Sequence, residues 1–445
     1  MFDLLVLEGT VVSSSGLQNA SLGVSKGRVA AILPTGETAA ATVVVNARGK
    51  LVLPGLVDAH VHFREPGLVH KEDLDSGSRA AAAGGVTTVM VMPTDNPMTT
   101  TPELFAEKKE LAAKSHVDIA LQAGLGPDPQ HVRALADLGA ISFEIFMSDL
   151  AAPMLTDRTS DLIAVLAAVR DAAGIAGITP GDDSIVQALT ARERAAGGSD
   201  PRAFWRTRPP IAEAVGLARA CLAVDEVGVR AHVRQVSCAA SVGILARLAP
   251  KTLSTEVTPH NLLLTEDELV RQGPVAKVAP PLRAASDLAV VQAALRTGLI
   301  DIVATDHAPH TPAEKQAGEA DIWKAPGGFP GVQTLLPLML RMVGDGLITY
   351  TDLARVCCER PAALFGLAGR KGTLAVGADA DMVIVDPDRP FTIRNDDQQS
   401  KAKLTPFDGW TAPAMPELAL LRGAVIMRDG VPQGPATGRF VGPSR

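Results

Sequence analysis

Apolar, strand-like runs alternate with helical periodicity through the middle of the chain. The runs fall at 55–63, 87–93, 118–124, 141–147, 174–179, 229–236, 254–259 and 301–306, and helical spacing appears at 102–114, 160–173, 210–227 and 286–297. Alternating β and α units imply a parallel sheet, and eight of them imply closure into a barrel. The chain ends read differently. Short strands are expected at 4–12, 22–32 and 42–45, and again at 377–386 and 418–427, with Gly and Ser turns among them. Neither end could bury a sheet face alone, so the two are expected to pair. The fold class that follows is α/β: a (β/α)8 TIM-type barrel over 54–370, with a small β-sandwich domain formed by 1–53 and 371–445.

Composition fits one barrel plus a minor domain. The 445 residues are 47% hydrophobic and 20% charged, enough for a large buried core, and with 3% aromatics that core is mostly aliphatic. A net charge of −7 without a dense Lys/Arg run argues against a nucleic-acid partner. Cys221, Cys238, Cys357 and Cys358 show neither CxxC spacing nor a disulfide framework. The first residues lack a basic n-region and a small-residue cleavage site, and no uncharged apolar run approaches the ~20 residues of a membrane span. A cytoplasmic protein with no membrane partner is expected.

Chemistry in such a barrel sits at the C-terminal ends of its strands. The first run ends in Asp58-Ala-His60-Val-His62-Phe-Arg64. Two histidines two apart on a strand project from one face, and converging imidazoles suit a divalent metal. Taken alone, such a pair is as readily two satisfied histidines on a half-buried strand. The last run ends in Ala304-Thr-Asp306-His307. An Asp there can ligate metal and accept a proton from metal-bound water, although an isolated Asp before a turn is usually a cap. Set at the two ends of one barrel sequence, the pair and the Asp point to metal-assisted hydrolysis.

These residues resemble the amidohydrolase superfamily, and within it the cyclic-amidase branch of dihydroorotases, allantoinases and hydantoinases. The likeness takes in Leu53-Pro-Gly-Leu-Val-Asp-Ala-His-Val-His-Phe-Arg-Glu-Pro-Gly67, Ala80-Ala-Ala-Ala-Gly-Gly-Val-Thr-Thr-Val89 and Glu256-Val-Thr-Pro-His260. It continues in Pro280-Pro-Leu-Arg283, Ile300-Asp-Ile-Val-Ala-Thr-Asp-His-Ala-Pro-His310 and Gly377-Ala-Asp-Ala-Asp381. The Phe-Arg-Glu-Pro-Gly and Thr-Pro-His segments are most like dihydroorotase, whereas Gly327-Gly-Phe-Pro-Gly-Val-Gln333 leans toward allantoinase. The resemblance implies attack of metal-bound hydroxide on a ring C–N bond, with Asp306 as base and then as proton donor to the leaving nitrogen. It also implies a homo-oligomer.

The family's second metal is held by a carbamylated lysine on strand four and histidines on strands five and six, and here the likeness fails. Glu144 stands at the lysine's place, Gly177-Ile-Thr-Pro-Gly-Asp182 holds no histidine, and Gln235 stands at the strand-six histidine. A carboxylate offers two oxygens as a carbamate does, but a neutral amide is a weak zinc ligand. His232 is an odd three residues before Gln235, which puts the two on opposite faces. The expected centre is therefore His60, His62, Glu144 and Asp306 around one divalent ion rather than two. Zinc is expected first, with manganese, iron and cobalt open.

For a ring substrate the resemblance assigns Arg64 and His310 to a carboxylate and His260 to orientation, with Asn96 as the candidate amide. The family's own substrate asparagines appear as Thr94 and Ala279. Their loss points away from dihydroorotate toward a less common cyclic amide. The other implied reading is a catalytically inactive scaffold, as in relatives that partner aspartate transcarbamoylase; acyclic amide hydrolysis or deamination is a third. The Arg- and Gly-rich segment 191–210 reads as a lid or as plain surface.

Overall fold

Each of the eight apolar runs supplies one barrel strand in the computed structural model, which describes residues 1–150 and 153–444. Strands one to eight are Leu56–Val61, Val86–Val91, Asp118–Leu121 continued by Ala123–Leu125, Phe143–Phe146, Ile175–Thr179, Arg230–Val233, Leu253–Val257 and Ile302–Val303. All neighbouring pairs are parallel. Strand three breaks only at Gln122, whose amide N–H donates to Val91 while that of Ala123 donates to Ser142. Between strands eight and one a single bridge joins Val61 to His307, and the His62 N–H donates to the His307 carbonyl at 2.7 Å. The ring is closed.

Helices form where their ends can be capped. Asp73, Thr101 and Asp182 accept backbone N–H bonds at the starts of Leu74–Ala83, Pro102–Leu111 and Asp183–Ala195. Pro210–Val227 and Ala285–Thr297 end on glycines in the left-handed region, Gly228 at φ 70° and Gly298 at φ 79°. The segment 191–210, expected as a lid or plain surface, is exposed over most of 191–200 and packed in its second half. It holds the end of one helix and a second short one, Pro201–Arg206, capped by Asp200. Phe204 of that helix is buried with Leu269 and Ile322, and the Trp205 indole donates to the Leu282 carbonyl at 3.1 Å. Among the described residues no helix is long and apolar enough to cross a membrane.

The two chain ends pair in one nine-stranded sheet in which Leu51–Pro54 lies between Phe2–Ser13 and Met382–Asp386. Two expected single strands are hairpins. The run 22–32 turns at Lys26 and Gly27 (φ 53° and 74°), and 418–427 turns at Arg422 and Gly423 (φ 49° and 77°). Two consecutive positive φ values make the tight turn that matches strand twist. Period-two alternation then divides these strands between two cores. Val52, Met382, Ile384, Leu418 and Leu420 pack within the terminal domain, while Leu51, Leu53, Val383, Val385, Ala419 and Leu421 pack against the barrel.

A buried charge cluster locks this domain to the barrel. The Lys371 ammonium, fully buried, lies 2.5 Å from Asp118 on strand three, 2.9 Å from Asp379 and 2.7 Å from Asp381. Arg422 adds a second cation to Asp118 at 2.6 Å. The three carboxylates could otherwise group around a metal ion, but Lys371 already stands among them. Replacing Lys371 with Met strands buried acids, and breaking such a cluster costs about 3–5 kcal/mol. A large fall in the denaturant or thermal midpoint of Lys371→Met is expected; a midpoint equal to wild type would show that the cluster does not hold the two parts together.

Candidate metal centre

Three of the four expected metal ligands meet at the mouth of the barrel. His62 Nε2 lies 2.9 Å and His60 Nε2 3.4 Å from Asp306 Oδ1, and the three side chains are buried or nearly so. Asp58 sets their register from below. It accepts the Thr305 N–H at 3.0 Å, the Thr305 hydroxyl at 2.6 Å and the His60 N–H at 3.2 Å, stapling strand one to strand eight. Burial raises its pKa to about 6 against those bonds. Just past the strands, Arg64, Gln235 and Asp306 all have left-handed φ values, 60°, 53° and 49°. Non-glycine residues are seldom held there; here the turns swing three polar side chains toward one another.

Each imidazole is backed on its other nitrogen. His60 Nδ1 donates to Glu256 Oε1 at 2.5 Å, and His62 Nδ1 meets the Thr94 hydroxyl at 2.5 Å. Such partners fix a ligating histidine's ring and tautomer. Burial, and then the Arg64 charge, hold the His62 pKa well below the ordinary histidine range, so it presents a free lone pair. For His60 burial acts in the same direction, but the Glu256 and Asp306 carboxylates outweigh it and raise the pKa. Burial also raises that of Asp306, which His60 opposes. Gln235 Nε2 donates to Asp306 Oδ2 at 2.7 Å, so this amide orients the carboxylate. Two imidazole nitrogens and a carboxylate oxygen within 4.8 Å of one another fit one divalent ion.

Glu144 is not among them. Its Oε1 accepts the Thr179 hydroxyl at 2.7 Å and its Oε2 the Arg234 guanidinium at 3.0 Å, both deep in the barrel. The ligand expected at strand four is instead half of a buried ion pair, because an arginine on strand six reaches it first. Glu144 and Gln235, which stand where the resemblance puts ligands of a second ion, are instead hydrogen-bonded to Thr179 and Arg234 and to Asp306. His232 faces inward and spends both nitrogens, on Ser254 at 2.8 Å and Glu256 at 3.0 Å.

The expected substrate groups divide. Arg64 lies beside the centre, with Nη1 3.5 Å from Thr94 and Nη2 3.4 Å from His310, and its buried Nε has no partner. His310 also lies 3.3 Å from Lys71 and donates from Nε2 to the Gly327 carbonyl at 3.0 Å; burial and the neighbouring Arg64 push its pKa down to about 2. His260 is edge-on to Phe329 with a buried, unpartnered Nε2 and, through burial, a pKa near 4. Asn96 does not converge with them. It is exposed at the rim, its N–H given to Pro66, and Thr94 takes the inner position. The loop that carries Arg64 is braced by the C-terminal part: Ser400 donates to the buried Glu72, and Lys401 pairs with Asp73 at 2.5 Å.

Sequence reasoning missed Arg234, Glu256 and Lys71 as parts of this centre. A charged residue inside an apolar barrel run was the available signal for the first two. Glu256→Gln should weaken zinc binding about 10–100-fold, read by competition against a chromogenic chelator. Unchanged affinity would mean that Glu256 does not orient His60.

The chain matches two family descriptions, the amidohydrolase family over residues 217–426 and the dihydro-orotase-like family over 49–122. An L-hydantoinase of Paenarthrobacter aurescens is 37% identical over 99% of this chain and 98% of its own. A dihydroorotase of Methanosarcina mazei is 35% identical over 99% and 98%. The solved L-hydantoinase (dihydropyrimidinase) from Arthrobacter aurescens superposes with a TM-score of 0.96 at 35% identity, covering 99% of this chain and 100% of that one. With a closed barrel, a terminal β-domain and the His60–His62–Asp306 cluster in place, the chain belongs to the amidohydrolase family, in its cyclic-amidase branch.

Proposed function

We propose that this protein opens a C–N bond of a cyclic amide at a centre for one divalent ion, zinc in the first instance. The observation that carries the reading is the convergence of His60 Nε2, His62 Nε2 and Asp306 Oδ1, each imidazole backed on Nδ1. An ion held there would lower the pKa of a water and polarise the ring carbonyl. The protein's own part is proton handling and grip. Asp306, held by Gln235, takes the proton of the attacking water and returns it to the ring nitrogen as the bond breaks. Water is thereby divided between the carbonyl carbon and the nitrogen, and the product is a ring-opened acid.

Arg64, with an unpartnered buried Nε, offers a cationic anchor beside a neutral His310 and Lys71. This favours a ring bearing a carboxylate or an electron-rich oxygen. Asn96, exposed at the rim, is left out of that grip. A homo-oligomer belongs to the same reading.

The test is turnover on dihydroorotate, allantoin and substituted hydantoins, with zinc content measured on the same samples. At least one ring should open, and Asp306→Asn should lower kcat about 10²–10⁴-fold. Arg64→Met should raise KM for a carboxylate-bearing ring about 10–100-fold, the worth of a charged hydrogen bond, and leave an uncharged ring nearly unaffected. A zinc-loaded chain inert on the whole panel would favour the inactive-scaffold reading.

A further inference from the structure

Beneath the centre the barrel carries a positive charge that the reaction just described does not use. Arg234 is fully buried, and four oxygens from four other strands accept from its guanidinium. Nε donates to Glu144 Oε2 at 3.0 Å; Nη1 donates to Glu256 Oε2 at 3.0 Å and to the Ala59 carbonyl at 3.2 Å; Nη2 donates to Gln122 Oε1. Strand five leaves space for the pair. A Cβ added at Gly177 would lie 2.3 Å from Glu144 Oε2 and 3.0 Å from Arg234 Nη2. Two carboxylates, an amide oxygen and a backbone carbonyl are arrayed around the three guanidinium nitrogens, and oxygens of these kinds are the donors that hard divalent cations such as magnesium, manganese or calcium take.

We propose that Arg234 is a built-in cation seated in an all-oxygen cage, where it fixes the barrel at one exchangeable ion and positions His60 through Glu256. The inference rests on the one-ion centre read above. A guanidinium is always charged and is matched to carboxylates, so this positive charge is neither lost to a chelator nor exchanged for another metal. Glu144 and Glu256 are both inaccessible to water, and their charges answer to Arg234. Neither of these two carboxylates is left free for a second ion. Glu256 shares its other oxygen with His60, so the same guanidinium helps hold that ring with Nε2 toward Asp306.

The experiment counts ions per chain by elemental analysis after equilibration with excess Mn²⁺ and removal of free metal. Wild type should hold one. Arg234→Ala empties the cage and should hold one more, with an unfolding midpoint that rises in Mn²⁺ further than that of wild type. Arg234→Lys keeps the charge and should stay at the wild-type count. Two ions in wild type would overturn the proposal, as would an Arg234→Ala protein that folds with no extra ion and no extra Mn²⁺ response. Arg234→Ala/Glu144→Ala removes one buried charge of each sign, covering the case in which the single variant does not fold; it should match the wild-type count, and an added ion there is equally fatal. Wild type without any ion, beside an Arg234→Ala chain that gains one, would defeat the His60–His62–Asp306 centre and leave the cage standing.

Discussion

A closed barrel gives a charged side chain no water to fall back on. Removing a carboxylate or guanidinium from water costs several kcal/mol unless partners replace the solvent, and the carboxylates and the guanidinium beneath the centre have such partners. Glu144 and Glu256 flank Arg234, His60 and His232 share Glu256, and Asp58 holds Thr305 and the His60 backbone. These bonds cross from strand to strand. They therefore decide which side chains remain free to face the mouth, and His60, His62 and Asp306 are what is left.

The mouth itself depends on residues far along the chain. Ile393, Ala402, Leu404 and Phe407 pack with Val278, Leu282 and Phe329, and Gln333 bonds to both Asp397 and Gln399. Together with Ser400 on Glu72, these contacts brace the loops that present Arg64 and the carbonyl facing His310. The terminal domain thus does more than cover the barrel's flank. It holds the rim where a ring substrate would be gripped.

Much of this is legible in the residues, for identifiable reasons. Barrel strands buried on both faces write themselves as short apolar runs, so eight could be counted; His60 and His62 share a face because side chains alternate with period two. The hairpins at Lys26-Gly27 and Arg422-Gly423 are hidden, since Lys and Arg rarely take the first left-handed position that Asn or Asp usually fills. Glu144 misleads for a different cause. A carboxylate at the end of strand four has the chemistry of a ligand, and nothing local reveals that its partner is an arginine 90 residues away. Asn96 and Thr94 divide in the same manner: two residues of spacing separate the rim from the interior, and the turn between them decides which is which. Long-range partnership is what spacing leaves out.

The terminal sheet also has a bearing on biosynthesis. Leu51 to Pro54 are hydrogen-bonded to Val385 through Met382, so one edge of the first-made segment waits for a strand more than three hundred residues downstream. Contacts of such sequence separation close late and slow folding. While the barrel is being translated, the apolar faces of Val52 and Leu53 are without their final cover, and aggregation competes with completion. Slow completion of the sheet during synthesis, rather than weakness of the finished protein, is the expected consequence of tying both ends of the chain together.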